Sequence, residues 1–128
     1  MIRIKHKGNF NRTEKFLTGA QKLKIRSILD RYGREGVNAL ASATPIESGK
    51  TADSWEYTIE MGGGSYAIYW TNSNENQGVN IALILQYGHG TGTGGYVQGR
   101  DYINPAIKPI FDAIADAVWK EVTSLWAV

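Results

Sequence analysis

Two apolar rhythms, one of period 3.6 and one of period two, meet at Thr44-Pro45 and point to an α+β fold. Ile25, Ile28, Leu29, Tyr32, Gly36, Ala39, Leu40 and Ala43 recur at spacings of three and four, the buried stripe of a helix predicted over Gln21 to Ala43. The residue before a proline is pushed out of the α region, so Thr44-Pro45 ends that helix. From Trp55 the period is two. Trp55, Tyr57, Ile59 and Met61 face one way; Glu56, Thr58 and Glu60 face the other. Gly62-Gly63-Gly64 reads as a turn and Tyr66 to Thr71 as the returning strand of a hairpin. Gly33 and Gly36 each weaken the helix by about 1 kcal/mol relative to Ala, so a bend or close packing is expected there.

The remaining segments follow by the same rules. Ile2 to His6 alternate as a short edge strand, its lysine suited to an edge. Asn11 or Thr13 is positioned to cap a short helix running to Ala20. Pro45 to Asp53 and Asn72 to Gly78 read as polar loops. Ile81 to Tyr87 is a near-continuous apolar run, predicted as a strand buried on both faces. Six of the twelve residues from Gly88 to Gly99 are glycine, which predicts a mobile loop. Asn104 and Pro105 then suit the cap and first position of a last helix. Its apolar stripe is Ile107, Ile110, Phe111, Ile114, Val118, Trp119, Val122, Leu125 and Trp126, with Asp112, Asp116, Lys120 and Glu121 off it. The expected fold is thus a small, mainly antiparallel sheet packed against a long N-terminal helix and a C-terminal amphipathic helix. Residues 1–128 read as a single domain, with 1–20 as an N-terminal arm and short helix and 21–128 as the core.

A chain of 128 residues with fourteen aromatics supports its own hydrophobic core. Having no cysteine, it has neither disulfides nor thiolate metal ligands. The charged start, Met1-Ile-Arg-Ile-Lys-His-Lys7, lacks the apolar run of a signal peptide. No stretch nears the roughly eighteen apolar residues of a membrane span, so no membrane partner is expected. The net charge of +2 conceals an asymmetry: residues 1–35 hold ten Lys or Arg against three Asp or Glu, and residues 36–128 hold four against nine. Either this is a solvated basic helix face, or it is charge complementarity toward a partner or a neighbouring copy.

Tests for chemistry fail one by one. Ser48-Gly49-Lys50-Thr51 carries the ending of a phosphate-binding loop, but the earlier glycine is replaced by Thr44 and a helix precedes it. Gly90-Thr-Gly92-Thr-Gly-Gly95 matches a dinucleotide fingerprint, yet no helix opens on its last glycine. His6 and His89 are too few for a histidine metal site, and His89 reads as an ordinary exposed imidazole. Glu56 and Glu60 stand about 13 Å apart along a strand, beyond the ~5–9.5 Å of glycosidase carboxylates. Asp112 and Asp116 lie a turn apart on a solvent face, Asp116 within reach of Lys120. No enzyme activity, cofactor or metal is therefore expected. A nucleic-acid module is the alternative: Lys22, Lys24, Arg26, Arg31 and Arg34 can touch phosphates, though they are scattered and carry no known recognition motif.

Four pieces stand in a telling order. The first helix leads into Ala43-Thr-Pro45-Ile-Glu-Ser48-Gly49, and Asp53-Ser54-Trp55 opens the sheet. Then come Gln86-Tyr87-Gly88-His-Gly-Thr91 and Arg100-Asp-Tyr-Ile-Asn-Pro-Ala106. This set resembles the neck, or tail-completion, proteins of lambda-like long-tailed bacteriophages over roughly residues 20 to 125. That family typically shows Ala-Pro-x-x-Thr-Gly before a Ser-starting strand, Tyr-x-x-x-x-Glu-x-Gly-Thr, and Arg-Pro-Phe-x-x-Pro-Ala into a terminal helix. Here Thr44 stands for the usual Ala, Ser48 for Thr, Gln86 for an acid and Asp101-Tyr102 for Pro-Phe.

The resemblance implies a non-enzymatic virion protein, made in the bacterial host cytoplasm. It would form a homo-oligomeric ring, expected to be a hexamer with a dodecamer as the alternative, at the head–tail junction or tail top. Its implied partners are copies of itself, head-completion proteins and tail-terminator or tail-tube proteins, with DNA passing through but not read. A ring needs a heterologous interface. Tyr87, Gly88, His89, Thr91, Tyr96, Arg100, Asp101, Lys22, Lys24 and Arg31 are the candidate interface residues. Ser73 to Asn80 and Gly88 to Gly99 are candidates for loops that neighbours order.

Overall fold

The alternating segments pair into one antiparallel sheet. In the computed structural model, which describes residues 2–9, 19–45, 49–62, 65–90 and 92–123, β1 (Ile2–Asn9), β2 (Trp55–Gly62) and β3 (Ser65–Asn72) form a sheet of order β1-β3-β2. The central strand matches Ile4 with Trp70 and His6 with Ile68 on one side, Tyr57 with Trp70 and Ile59 with Ile68 on the other. One face therefore collects Ile4, His6, Tyr57, Ile59, Tyr66, Ile68 and Trp70, most of the sheet's core surface. The other carries Arg3, Lys5, Lys7, Glu56, Thr58 and Glu60, all exposed.

Helices α1 (Gly19–Ala43) and α4 (Ile103–Thr123) cover the apolar face. They run antiparallel: Arg100, just before α4, reaches the carbonyl of Ala43 at the end of α1, and Lys120 lies within electrostatic reach of Tyr32. The predicted α1 stripe is borne out, with Ile25, Leu29, Gly36 and Leu40 buried. At Gly33 and Gly36 the expectation of close packing holds. A Cβ on Gly36 would stand 2.4 Å from Trp70 Nε1, and one on Gly33 would stand 2.4 Å from the Tyr57 ring. Trp70, fully buried, donates its indole N–H to the Gly33 carbonyl at 3.0 Å and lies 5.7 Å from the Phe111 ring. Burying an aromatic of this size contributes roughly 4–6 kcal/mol before entropy is charged against it. At the end of α1, Thr44 Oγ1 donates to the Leu40 carbonyl at 2.7 Å and accepts the Trp55 indole N–H at 3.0 Å.

Several expectations are corrected. The stretch from Pro45 to Asp53 is not wholly a loop, since Gly49–Ala52 form a short helix, α2. Asn72 to Gly78 is likewise not an irregular loop. β4 (Glu75–Asn76) and β5 (Val79–Asn80) make a tight hairpin whose central residues, Gln77 and Gly78, have φ of 52° and 79°, as this turn requires. Ile81–Tyr87 is a helix, α3, not a buried strand. Asn80 Oδ1 accepts the Leu83 amide at 3.2 Å and so caps it. Ala82 and Gln86, one turn apart, point inward, while Leu83 and Tyr87 are exposed.

The glycine-rich segment is a two-stranded ribbon, β6 (Gly88–Gly90) with β7 (Tyr96–Gln98), rather than a formless loop. Helix α4 begins at Ile103, so Asn104 is not its cap and Pro105 lies within its first turn, where a missing N–H still costs nothing. Trp119, assigned to the buried stripe, is 61% exposed. The predicted short helix before Ala20 falls mainly on residues 11–18, which lie outside the described residues. So do the turn at Gly63 and Gly64 and the stripe residues Leu125 and Trp126.

Candidate functional site

The three sequence-distant segments at Ala43-Thr44, Gln86-Tyr87-Gly88 and Arg100–Ala106 meet at one corner of the molecule. Gln86 is the hinge of this corner. Its side chain, nearly fully buried, accepts the amides of Tyr102 and Ile103 on Oε1, both at 3.0 Å, and donates from Nε2 to Asp101 Oδ1 at 2.7 Å. Two of the four orphan amides that open α4 are thus satisfied by a residue from another helix. Pro105 removes a third, and Asn104, exposed, faces water while its side-chain amide donates to Asp101 at 3.1 Å. Tyr102, buried, donates its hydroxyl to the Ala82 carbonyl at 2.8 Å, and burial pushes its pKa up to about 12. The Arg100 amide donates to the Leu85 carbonyl at 3.0 Å, and its guanidinium reaches the Ala43 carbonyl at 3.4 Å. A hollow of about 450 Å³ between Ala39, Ala43, Arg100, Asp101 and Pro105 marks the seam.

The ribbon springs from this corner. Gly88 has φ of 85°, and its N–H closes α3 by donating to the Ile84 carbonyl. A Cβ there would stand 2.6 Å from the Val97 carbonyl oxygen, and one on Gly99 would stand 2.4 Å from the Gly88 nitrogen. Two glycines therefore let two backbones cross where no side chain fits. Tyr96 donates its hydroxyl to the Tyr87 carbonyl at 2.9 Å. What the ribbon and α3 turn outward is apolar: Leu83, Tyr87, Tyr96 and Val97 are 41%, 67%, 66% and 47% exposed. His89 is half-buried rather than freely exposed. Its Nδ1 is the one buried side-chain polar atom among the described residues with no hydrogen-bond partner, a desolvation cost of about 1–3 kcal/mol.

The candidate interface residues divide. Tyr87, Gly88, His89, Tyr96, Arg100 and Asp101 gather at the corner, and Thr91 lies outside the described residues. Lys22, Lys24 and Arg31 do not join them. They lie on α1 between twelve and twenty-one residues before Ala43, about 18–32 Å along the helix. Arg31 pairs there with Glu35 at 3.4 Å and lies over the Tyr32 ring at 5.2 Å.

A second buried polar cluster escaped the sequence reading. Asn72 donates to the Thr51 carbonyl at 2.8 Å and accepts the Asn74 amide at 3.0 Å. Asn74 donates to Thr51 Oγ1 at 2.7 Å, and Asn80 donates to the Asn72 carbonyl at 3.0 Å. The phosphate-loop look-alike around Thr51 is thus a structural knot, its hydroxyl turned inward and fully buried. Within a segment of polar residues the only clue was the density of asparagine. The Asp116–Lys120 pair forms as expected, at 3.0 Å, and its hydrogen bond and charge raise the pKa of Lys120. Among the described residues no three His, Asp or Glu side chains converge on a metal position, and no helix is long and apolar enough to cross a membrane. No protein-family model, curated protein or solved structure matches this chain.

Proposed function

We propose that this protein is a structural subunit of a tailed phage or phage-like particle. It forms a ring at the head–tail junction or tail top and acts in head–tail joining, not catalysis. The observation that carries this reading is the convergence of the family-like motifs. Segments that resemble neck proteins in sequence, and are separated by up to sixty residues, touch in space through Gln86, Arg100 and Ala43. The departures from the family pattern are also internally matched. Gln86, which stands for an acid, donates to Asp101, which stands for a proline, at 2.7 Å. Thr44 replaces an alanine where its hydroxyl takes the Trp55 indole N–H.

In this reading the exposed Leu83, Tyr87, Tyr96 and Val97 meet the adjacent head or tail protein. Apolar and aromatic surface held on a fixed support is what protein partners use as anchors. Light scattering on the purified protein, with electron microscopy of the resulting particles, tests the proposal. Closed rings, with six copies expected, support it. A strict monomer at every accessible concentration overturns it. A salt-dependent DNA titration checks the nucleic-acid alternative, for which tight binding at low salt would be required.

A further inference from the structure

We infer that copies of this chain join edge to edge, the free edge of β1 in one subunit pairing in parallel with the free edge of β2 in the next. The inference rests on the ring reading and names its contact. Among the described residues, β1 and β2 each bond only to β3, so both outer edges of the sheet are unpaired. Each strand is eight residues long and contains no proline. Neither edge is closed by shortening or by proline; what guards them is charge, basic on β1 (Arg3, Lys5, Lys7) and acidic on β2 (Glu56, Glu60), which repels a like edge but not the opposite one.

Charge decides which edges meet. Through their common partner β3, Arg3 lies level with Glu56 across Thr71, Lys5 with Thr58 across Tyr69, and Lys7 with Glu60 across Ala67. The outer face of the sheet thus runs from a basic column on β1, through a neutral centre, to an acidic column on β2. Within one subunit the columns stand two strand spacings apart, about 10 Å, with Tyr69 between them. Arg3 and Lys5 lie over its ring at 5.0 and 5.2 Å, and its hydroxyl donates to Glu60 at 3.3 Å.

A second copy placed beside the first brings the columns to neighbouring-strand distance, about 4.8 Å. With levels kept, Arg3 faces Glu56, Lys7 faces Glu60, and Lys5 lies between them. Two copies related by a twofold axis would instead set β1 against β1 or β2 against β2, like charge against like. The sheet therefore selects a head-to-tail contact and rejects the symmetric dimer, as a closed ring demands. Because β1 and β2 are both antiparallel to β3, they are parallel to each other, and the new pairing is parallel as well. The half-buried Ile4, Tyr57, Ile59 and Met61 on the inner face gain cover at the same seam.

Charge reversal tests the contact by light scattering. Arg3→Glu/Lys5→Glu/Lys7→Glu makes both edges acidic, and Glu56→Lys/Glu60→Lys makes both basic. Each chain alone is expected to associate at least about tenfold more weakly than the parent. Mixing the two restores association in alternating order, and so does placing all five substitutions in one chain, a rescue that a folding defect cannot imitate. The single-rung changes Lys7→Glu and Glu60→Lys, both at exposed positions, repeat the test with less disturbance. Reversals that leave association unchanged, or that abolish it without rescue while circular dichroism stays native, overturn the edge contact and spare the ring. A monomeric parent overturns both.

Discussion

The side-chain carbonyl of Gln86 holds the first amide of α4, that of Ile103, at 3.0 Å, so one helix is capped from inside another. The same oxygen takes the Tyr102 amide, and the side-chain nitrogen holds Asp101. Replacing Gln86 with Leu strands both amides in a buried site, and the expected loss is about 2–4 kcal/mol in urea unfolding. Gln86→Glu sets a carboxylate against Asp101 and is also destabilising. Adding Asp101→Asn to it recovers most of that loss, because the donor and acceptor have merely traded sides.

Gly36 is expected to refuse alanine although alanine favours helix by about 1 kcal/mol. The added methyl meets the buried Trp70 ring, whose indole N–H is tied to Gly33. Overpacking of this kind costs about 1–3 kcal/mol net. Gly19→Ala, with nothing within 4 Å of the new Cβ, is the control and stays near neutral. Equal stability of the two variants in chemical denaturation would contradict the packing described.

Asn72→Ala removes a side chain that bonds both Thr51 and Asn74. About 2–4 kcal/mol is expected to be lost. Hydrogen exchange should quicken first in α2 and the β4–β5 hairpin, the elements the cluster ties to the sheet. Exchange unchanged at those amides would show that the cluster does not hold them.

Alkali should expose Tyr102. Burial raises its pKa from 10.0 to about 12, so the folded state keeps the proton that the unfolded state surrenders. The associated stability is complete below pH 10, declines as pH rises, and is gone above about 12, a change of up to about 2–3 kcal/mol. Tyr102→Phe removes this component of the pH dependence, and phenolate absorbance on titration reports the shift directly.

Acid should act through His6. Its Nε2 lies 3.1 Å from the Tyr66 hydroxyl and its ring 5.2 Å from Phe111, and burial lowers its pKa below 6.5. The unfolded chain then takes up the proton first. Stability from this group is complete above pH 6.5 and falls as pH drops toward the folded value. His6→Phe is expected to flatten the acid limb of the stability curve, and an unaltered limb would reassign it.

What the sequence by itself determined are the elements whose pattern is local and strong. The stripe from Ile25 to Leu40, the alternation from Trp55 to Met61, the return through Trp70 and the amphipathic run from Ile107 to Val122 each declare a period that only one backbone conformation can bury on one side. Only the tertiary structure decided Ile81–Tyr87. A continuous apolar run buries equally well as a strand or a helix, and the choice fell to the inward turn of Ala82 and Gln86 against the core, with a local cap at Asn80 and a stop at Gly88 marking its ends. It also decided the buried polar contacts. Gln86 finds its amides sixteen and seventeen residues away, and Asn72 finds Thr51 twenty-one residues away. A buried donor or acceptor is stabilising only beside its partner, and which partner that is depends on how the chain returns to itself.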